Sequence, residues 1–198
     1  MTQGIHNLAP VLAHDEEQVA SASSKALQAV RMPATICVLQ IVLAYEWLVS
    51  GLDKIGNTHF DNQLVSLLQQ STQGNRYGWY VSLVHQIVLP NHTLFALLDQ
   101  GSEIAIGIAL LLGGGLGLLR PQARITVDAA LAASAALLGS TFLALNYFVQ
   151  GNTLIPWINP ANAFVPGVDI NSFVAVISLV LFVANVCLLL KWRNALVK

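Results

Sequence analysis

Charge is what this sequence has least of. Only 10% of its 198 residues are charged while 55% are hydrophobic, against roughly a quarter charged in ordinary soluble domains. That balance argues against a water-solvated globular domain and for lipid as the solvent. Nine basic and ten acidic residues almost cancel and form no basic block, so nucleic acid is not expected as a partner. Cysteine is scarcer still. Cys37 and Cys187 are far apart and neither belongs to a Cys-x-x-Cys pair, which excludes a dithiol centre of that type. With no basic neighbour to stabilise a thiolate, both read as apolar filling, adjacent to one another if the first and fourth helices pack together.

Histidine is missing from every long apolar run. His6, His14, His59, His85 and His92 all lie outside them, so no histidine pair is placed to hold haem within a membrane. His85 and His92 are seven apart, but Pro90 interrupts the helix between them and no cysteine or carboxylate cluster joins them. The GGGLG run lacks the preceding strand of a phosphate-binding loop and reads as packing surface. No haem, flavin or metal is therefore expected in this chain. The first residues are polar and carry Asp15, Glu16 and Glu17, unlike the basic start of a cleaved signal peptide, so the first apolar segment is expected to stay in the mature protein.

What the sequence does have is four long apolar segments, about 34–52, 93–119, 125–149 and 172–190. Each suits a crossing, which takes about 20 residues of helix. The expected fold is an all-α membrane protein, a four-transmembrane-helix bundle occupying residues 33–192. A polar cytoplasmic segment, 1–32, precedes it and a cytoplasmic tail, 193–198, follows. Lys25, Arg31, Arg120, Arg124, Lys191, Arg193 and Lys198 fall on one side and only Lys54 and Arg76 on the other, seven against two. Short Lys/Arg-rich connections stay in the cytoplasm, so both termini are expected there, in the cell membrane. The two outer connections, about 53–92 and 150–171, carry signs of short interfacial helices and of a lid. FDNQLVSLLQQ is amphipathic, RYGWYVSLVHQIVLP is aromatic and is expected to end at Pro90, and GNTLIPWINPANAFVPGVDI is expected to be irregular but ordered.

Ionisable residues at membrane depth are costly unless they meet protein, water or a partner. Glu46 lies near the outer end of the first helix and Glu103 in the first half of the second. At 1.5 Å per residue both sit roughly 9 to 15 Å below the outer surface. Asp99 and Glu103 are four apart, Glu46 and Asp53 seven apart, so each pair shares a helix face, expected to look into the bundle. Gly107 extends the stripe of Glu103, and Lys54 offers a counter-ion at the outer mouth. Asn146 and Tyr147 reach a comparable depth and complete a polar pocket of Asp99, Asn146, Tyr147, Asp53 and Lys54. Two readings stand side by side: a proton-handling or quinone-head-group site with Glu103 and then Glu46 as catalytic groups, or a structural cluster in which Glu103 meets Tyr45, Asn146 or Tyr147. Asp128, four residues from Arg124, reads as a surface pair.

The strings YEWLVSGLDKI (Tyr45–Ile55), GWYVSLVHQIVLP (Gly78–Pro90), LFALLDQGSEIAIGIALLLG (Leu94–Gly113) and NPANAFVPG before the last span resemble the DoxX-like membrane proteins. That family includes the small DoxD subunit of thiosulfate:quinone oxidoreductase, and the likeness covers most of the chain. Gly51, Lys54, Pro90, Glu103, Gly107 and Gly113 match its pattern. The resemblance implies a four-helix bundle that passes electrons from thiosulfate or another sulfur compound to membrane quinone, with a second subunit supplying any metal or flavin. Quinone is then the expected substrate and the lipid bilayer an expected partner. The alternative is a non-catalytic accessory or structural subunit of a larger membrane complex.

Overall fold

The computed structural model describes residues 32–120, 124–151 and 170–196. The expectations for residues 1–31, for most of the second outer connection and for residues 197–198 lie outside the described residues. Within them the chain is helical: α1 (Ala34–Gly56), α2 (Phe60–Thr72), α3 (Gly78–Leu83), a wide turn and a tight turn over 84–91, α4 (His92–Leu119), α5 (Arg124–Gln150) and α6 (Ile170–Leu196). Four helices, α1, α4 with the segment leading into it, α5 and α6, are long and apolar enough to cross a membrane. The protein is a multi-pass membrane protein.

The helices pack in sequence order, α1 on α4, α4 on α5 and α5 on α6, while α1 touches α6 only sparsely. Between α1 and α4 the contact runs along a small-residue seam. A Cβ at Gly107 would lie 2.6 Å from Leu48 Cγ, and one at Gly114 would lie 2.6 Å from the Cys37 carbonyl oxygen. Lipid offers no hydrophobic drive between spans, so such close backbone approach is what supplies van der Waals contact. Gly113 does the same against Ala133 of α5, whose Ala133, Ala136 and Ser140 form a buried row. Large apolar residues face outward instead, among them Val42, Leu97, Leu138 and Val180.

The segment before α4 corrects the expectation that Pro90 ends a separate interfacial piece. Helical backbone continues through Leu83, Val88 and Leu89 into His92. Leu89 donates its N–H to the Val84 carbonyl, five residues back, which opens a π turn. Proline has no N–H to give and its ring crowds the preceding turn; a widened turn absorbs both defects without breaking the helix.

At the same end, α2 folds back over the bundle. Phe60, Leu64, Leu68 and Thr72 recur every fourth residue and face inward, while Asn62, Gln63, Ser66, Gln69 and Gln70 are exposed. This is the amphipathic helix its sequence predicts. Leu68, Tyr80 and Val84 form a small core that joins α2 to the α3 segment. The turn between them needs Gly74, the only described glycine with positive φ, at 70°. Asn75 fastens it to α5 by donating its side-chain amide to the Val149 carbonyl at 3.0 Å.

Candidate functional site

Lys54 stands in the last turn of α1, where the carbonyl end of the helix favours a cation. It lies seven residues from Trp47 and three from Gly51, both buried, so it shares their inward stripe. Asp99 and Glu103, one turn apart on α4, face it, and Tyr147 arrives from the end of α5. Four side chains from three helices thus meet at the end of the bundle opposite Met32 and Arg120.

The Lys54 ammonium donates to Asp99 Oδ2 at 2.6 Å, to Glu103 Oε1 at 2.8 Å and to the Tyr147 hydroxyl oxygen at 2.8 Å. The Tyr147 hydroxyl lies 2.5 Å from Asp99 Oδ1 and 2.7 Å from Glu103 Oε1, so its one hydrogen is held between two carboxylates. The rings of Tyr147 and Phe60 flank the ammonium, with centroids at 5.0 and 5.4 Å, which adds cation–π attraction. Gln100 fixes the turn by donating to the Lys54 carbonyl at 3.1 Å. The Glu103 side chain is fully buried, whereas those of Lys54 and Asp99 keep 17% of their surface. Among the described residues Glu103 Oε2 has no hydrogen-bond partner.

Beside this cluster opens a cavity of about 470 Å³. Its walls come from α2, the α3 segment, α4 and α5, and they are mostly apolar: Leu64, Leu68, Val84, Leu98, Ile106 and Phe142 are among them. Asp99 and Tyr147 are the wall's link to the ion-paired cluster, with Ser102, Asn146 and Gln150 alongside. Glu103 and Lys54 stand behind them. A molecule in the cavity meets apolar surface over most of its extent and a hydrogen-bonded ionic network at one edge, the usual build of a small-molecule pocket.

No known family model, curated protein or solved structure matches this chain.

Among the expected site residues, Asp99, Glu103, Tyr147 and Lys54 are brought into direct contact. Asn146 lines the cavity but spends its amide on the Phe142 carbonyl at 2.8 Å. Glu46 and Asp53 do not join. Both are exposed, on the flank of α1 away from its buried stripe of Cys37, Gln40, Ala44, Trp47 and Gly51. Their shared face was expected to look into the bundle and instead looks out, because the inward face of α1 is set by that stripe. Tyr45 is 68% exposed and so does not meet Glu103. Cys37 is buried beneath Gly117 and Cys187 is exposed. His85 is exposed, and His92 places Nδ1 3.1 Å from the Leu89 carbonyl.

Lys54, expected as a counter-ion at the outer mouth and a member of the polar pocket, pairs directly with Asp99 and Glu103, a role signalled by its spacing from Trp47 and Gly51. One feature had gone unread in the sequence. Deeper in the bundle lies a second polar layer. Trp47 donates its indole N–H to Ser140 at 2.8 Å, Ser140 meets Ser178 at 2.7 Å, and Gln40 donates to Asn185 at 3.0 Å. These bonds tie α1 to α5 and α6 through neutral side chains; Gln40 Oε1 and Asn185 Nδ2 are buried with no partner among the described residues.

Proposed function

We propose that this chain is the membrane subunit of a quinone-linked oxidoreductase, in which the cavity holds the head of a lipophilic quinone and the Lys54–Asp99–Glu103–Tyr147 cluster exchanges the accompanying protons. The cavity wall carries this reading: mostly apolar, it meets a buried ionic network at Asp99 and Tyr147. Both termini are assigned to the cytoplasm and the cavity to the outer side, on the seven-to-two distribution of basic residues.

Reduction of a quinone to its quinol takes two electrons and two protons. The electrons come from oxidation of a sulfur compound such as thiosulfate at a partner subunit. Protons pass through the groups nearest the ligand, Asp99 and Tyr147, backed by Glu103. Two carboxylates face one ammonium in the cluster, and hydrogen bonds from three helices offset the cost of placing these groups at membrane depth. On this arrangement Glu103 positions and relays, and Asp99 makes the contact.

Thiosulfate-dependent quinone reduction in native membranes tests this. Deletion of the chain abolishes activity, and Asp99→Asn at matched levels of folded protein lowers it by about a hundredfold, the scale of a lost acid–base group. Full activity in both strains overturns it.

A second reading, an accessory subunit of a larger complex, draws on Glu46. This carboxylate is exposed near the middle of α1, among exposed Val42, Tyr45 and Val49, where lipid alone would leave it unpaired. A partner helix carrying a donor would satisfy it. Activity that survives Glu46→Gln while the complex falls apart on purification favours this second reading.

A further inference from the structure

The hydrogens of the cluster can be counted. Lys54 has three, and they go to Asp99, Glu103 and Tyr147. Tyr147 has one, held between Asp99 and Glu103. Ser102, beside Asp99 on the cavity wall, donates its hydroxyl to the Asp99 carbonyl at 3.0 Å. None of these three residues has a donor left for a ligand. Acceptors are in surplus: each Asp99 oxygen receives a single bond and keeps a further lone pair, since a carboxylate offers about four acceptor positions. Behind it Glu103 Oε2 receives none from the described residues. The formal charge, one ammonium against two carboxylates, has the same sign of imbalance.

A quinone and its quinol differ in the property this edge selects. The quinone carbonyls only accept hydrogen bonds, and against Asp99 a carbonyl oxygen faces a carboxylate oxygen with no hydrogen between them. The quinol hydroxyls donate. Resting on the quinone reading above, we infer that the cavity discriminates in favour of the hydroxylated, reduced form of its ligand, with a ligand hydroxyl donating to Asp99. Asn146 and Gln150 line the same wall; Asn146 gives one N–H to the Phe142 carbonyl, and the amide groups that remain serve either form, so they do not decide between them. A hydrogen bond from a neutral hydroxyl to a charged acceptor is the stronger kind, and leaving it unmade costs the unpaired group its solvation.

The consequence for the reaction is a driving force. A site that binds quinol about tenfold more tightly than quinone raises the potential of the bound two-electron couple by about 30 mV. Electrons from the donor are thereby drawn to the ligand inside the cavity.

Equilibrium binding of three short-tailed probes to the full chain in nanodiscs tests this: a decyl-quinone, its quinol, and the quinol's dimethyl ether, which has the shape of the quinol without its donors. The expected result is quinol binding about tenfold or more tighter than both others. In Asp99→Asn, whose amide can donate to a carbonyl, the preference shrinks to about threefold or less without loss of quinone affinity. Quinone or ether binding as tightly as quinol overturns the discrimination and leaves the cavity as a quinone site. No binding by any of the three overturns the cavity reading and the discrimination with it. The probe comparison on the unaltered chain is decisive even where Asp99→Asn fails to fold.

Discussion

At the scale of single residues the cluster is asymmetric. Lys54 is its sole cation, and removing it leaves Asp99 and Glu103 facing one another around Tyr147 with no compensating charge. Breaking a buried ion pair from one side costs about 3–5 kcal/mol. Lys54→Met is expected to destabilise the detergent-solubilised protein by that order in thermal or chaotropic unfolding. Adding Glu103→Gln and Asp99→Asn to it should recover a large part of the loss, because the uncompensated charges are then gone; no recovery in the triple variant would show that the lysine stem, not its charge, is what matters. Tyr147→Phe removes a donor shared by both carboxylates. Its expected cost is smaller, about 1–3 kcal/mol, with the larger effect on quinone reduction measured at matched protein. The Asp99–Glu103–Tyr147 part of this site was legible from spacing and depth alone. Glu46 was not, because sharing a face with Asp53 says nothing about which way that face turns. Its neighbours Gln40, Ala44, Trp47 and Gly51 decide that, by packing into the bundle.

At the scale of elements, the apolar runs of α1, α4, α5 and α6 announce themselves by length and lack of charge, and the i, i+4 repeat of Phe60, Leu64, Leu68 and Thr72 announces α2. The cavity is less visible in the sequence. It exists because α2 and the α3 segment fold back onto α4 and α5, a tertiary event fixed by contacts such as Asn75 to Val149. Pro90 misleads for a related reason: its local effect is real, but a π turn takes it up. The α1–α4 seam gives a sharper test of element packing. At Gly114 a methyl group would press on the backbone carbonyl of Cys37, which has no rotamer by which to retreat. At Gly115, one residue on, nothing lies within 4 Å. Gly114→Ala is expected to lower stability by about 1–3 kcal/mol through overpacking, and Gly115→Ala to be neutral or slightly stabilising through helix propensity. Equal unfolding midpoints for the two variants would show that α1 and α4 are not held at this separation.

At the scale of the whole molecule, the direction of insertion decides which compartment the cavity serves. Helices α1 and α4 run antiparallel, as Gly51 against Ile104 and Gly117 against Met32 require, and α5 and α6 continue the alternation, with Trp47 on Ser140 and Ser140 on Ser178. Lys54, Asp99, Tyr147 and the exposed side of α2 therefore share one end, and Arg120, Lys191 and Arg193 the other. Insertion that keeps most basic residues in the cytoplasm puts the cavity outside. In a Cys187→Ser background, with Cys37 buried, a cysteine placed at exposed Gln69 on α2 should react with a membrane-impermeant maleimide in intact cells. One placed at exposed Asn194 on α6 should react only after the cells are opened. The opposite pattern would send the protons of the cluster to the cytoplasmic side. The partner proposed above to bring electrons to the cavity would then have to be cytoplasmic as well, so the labelling result decides on which side of the membrane that proposal is to be tested.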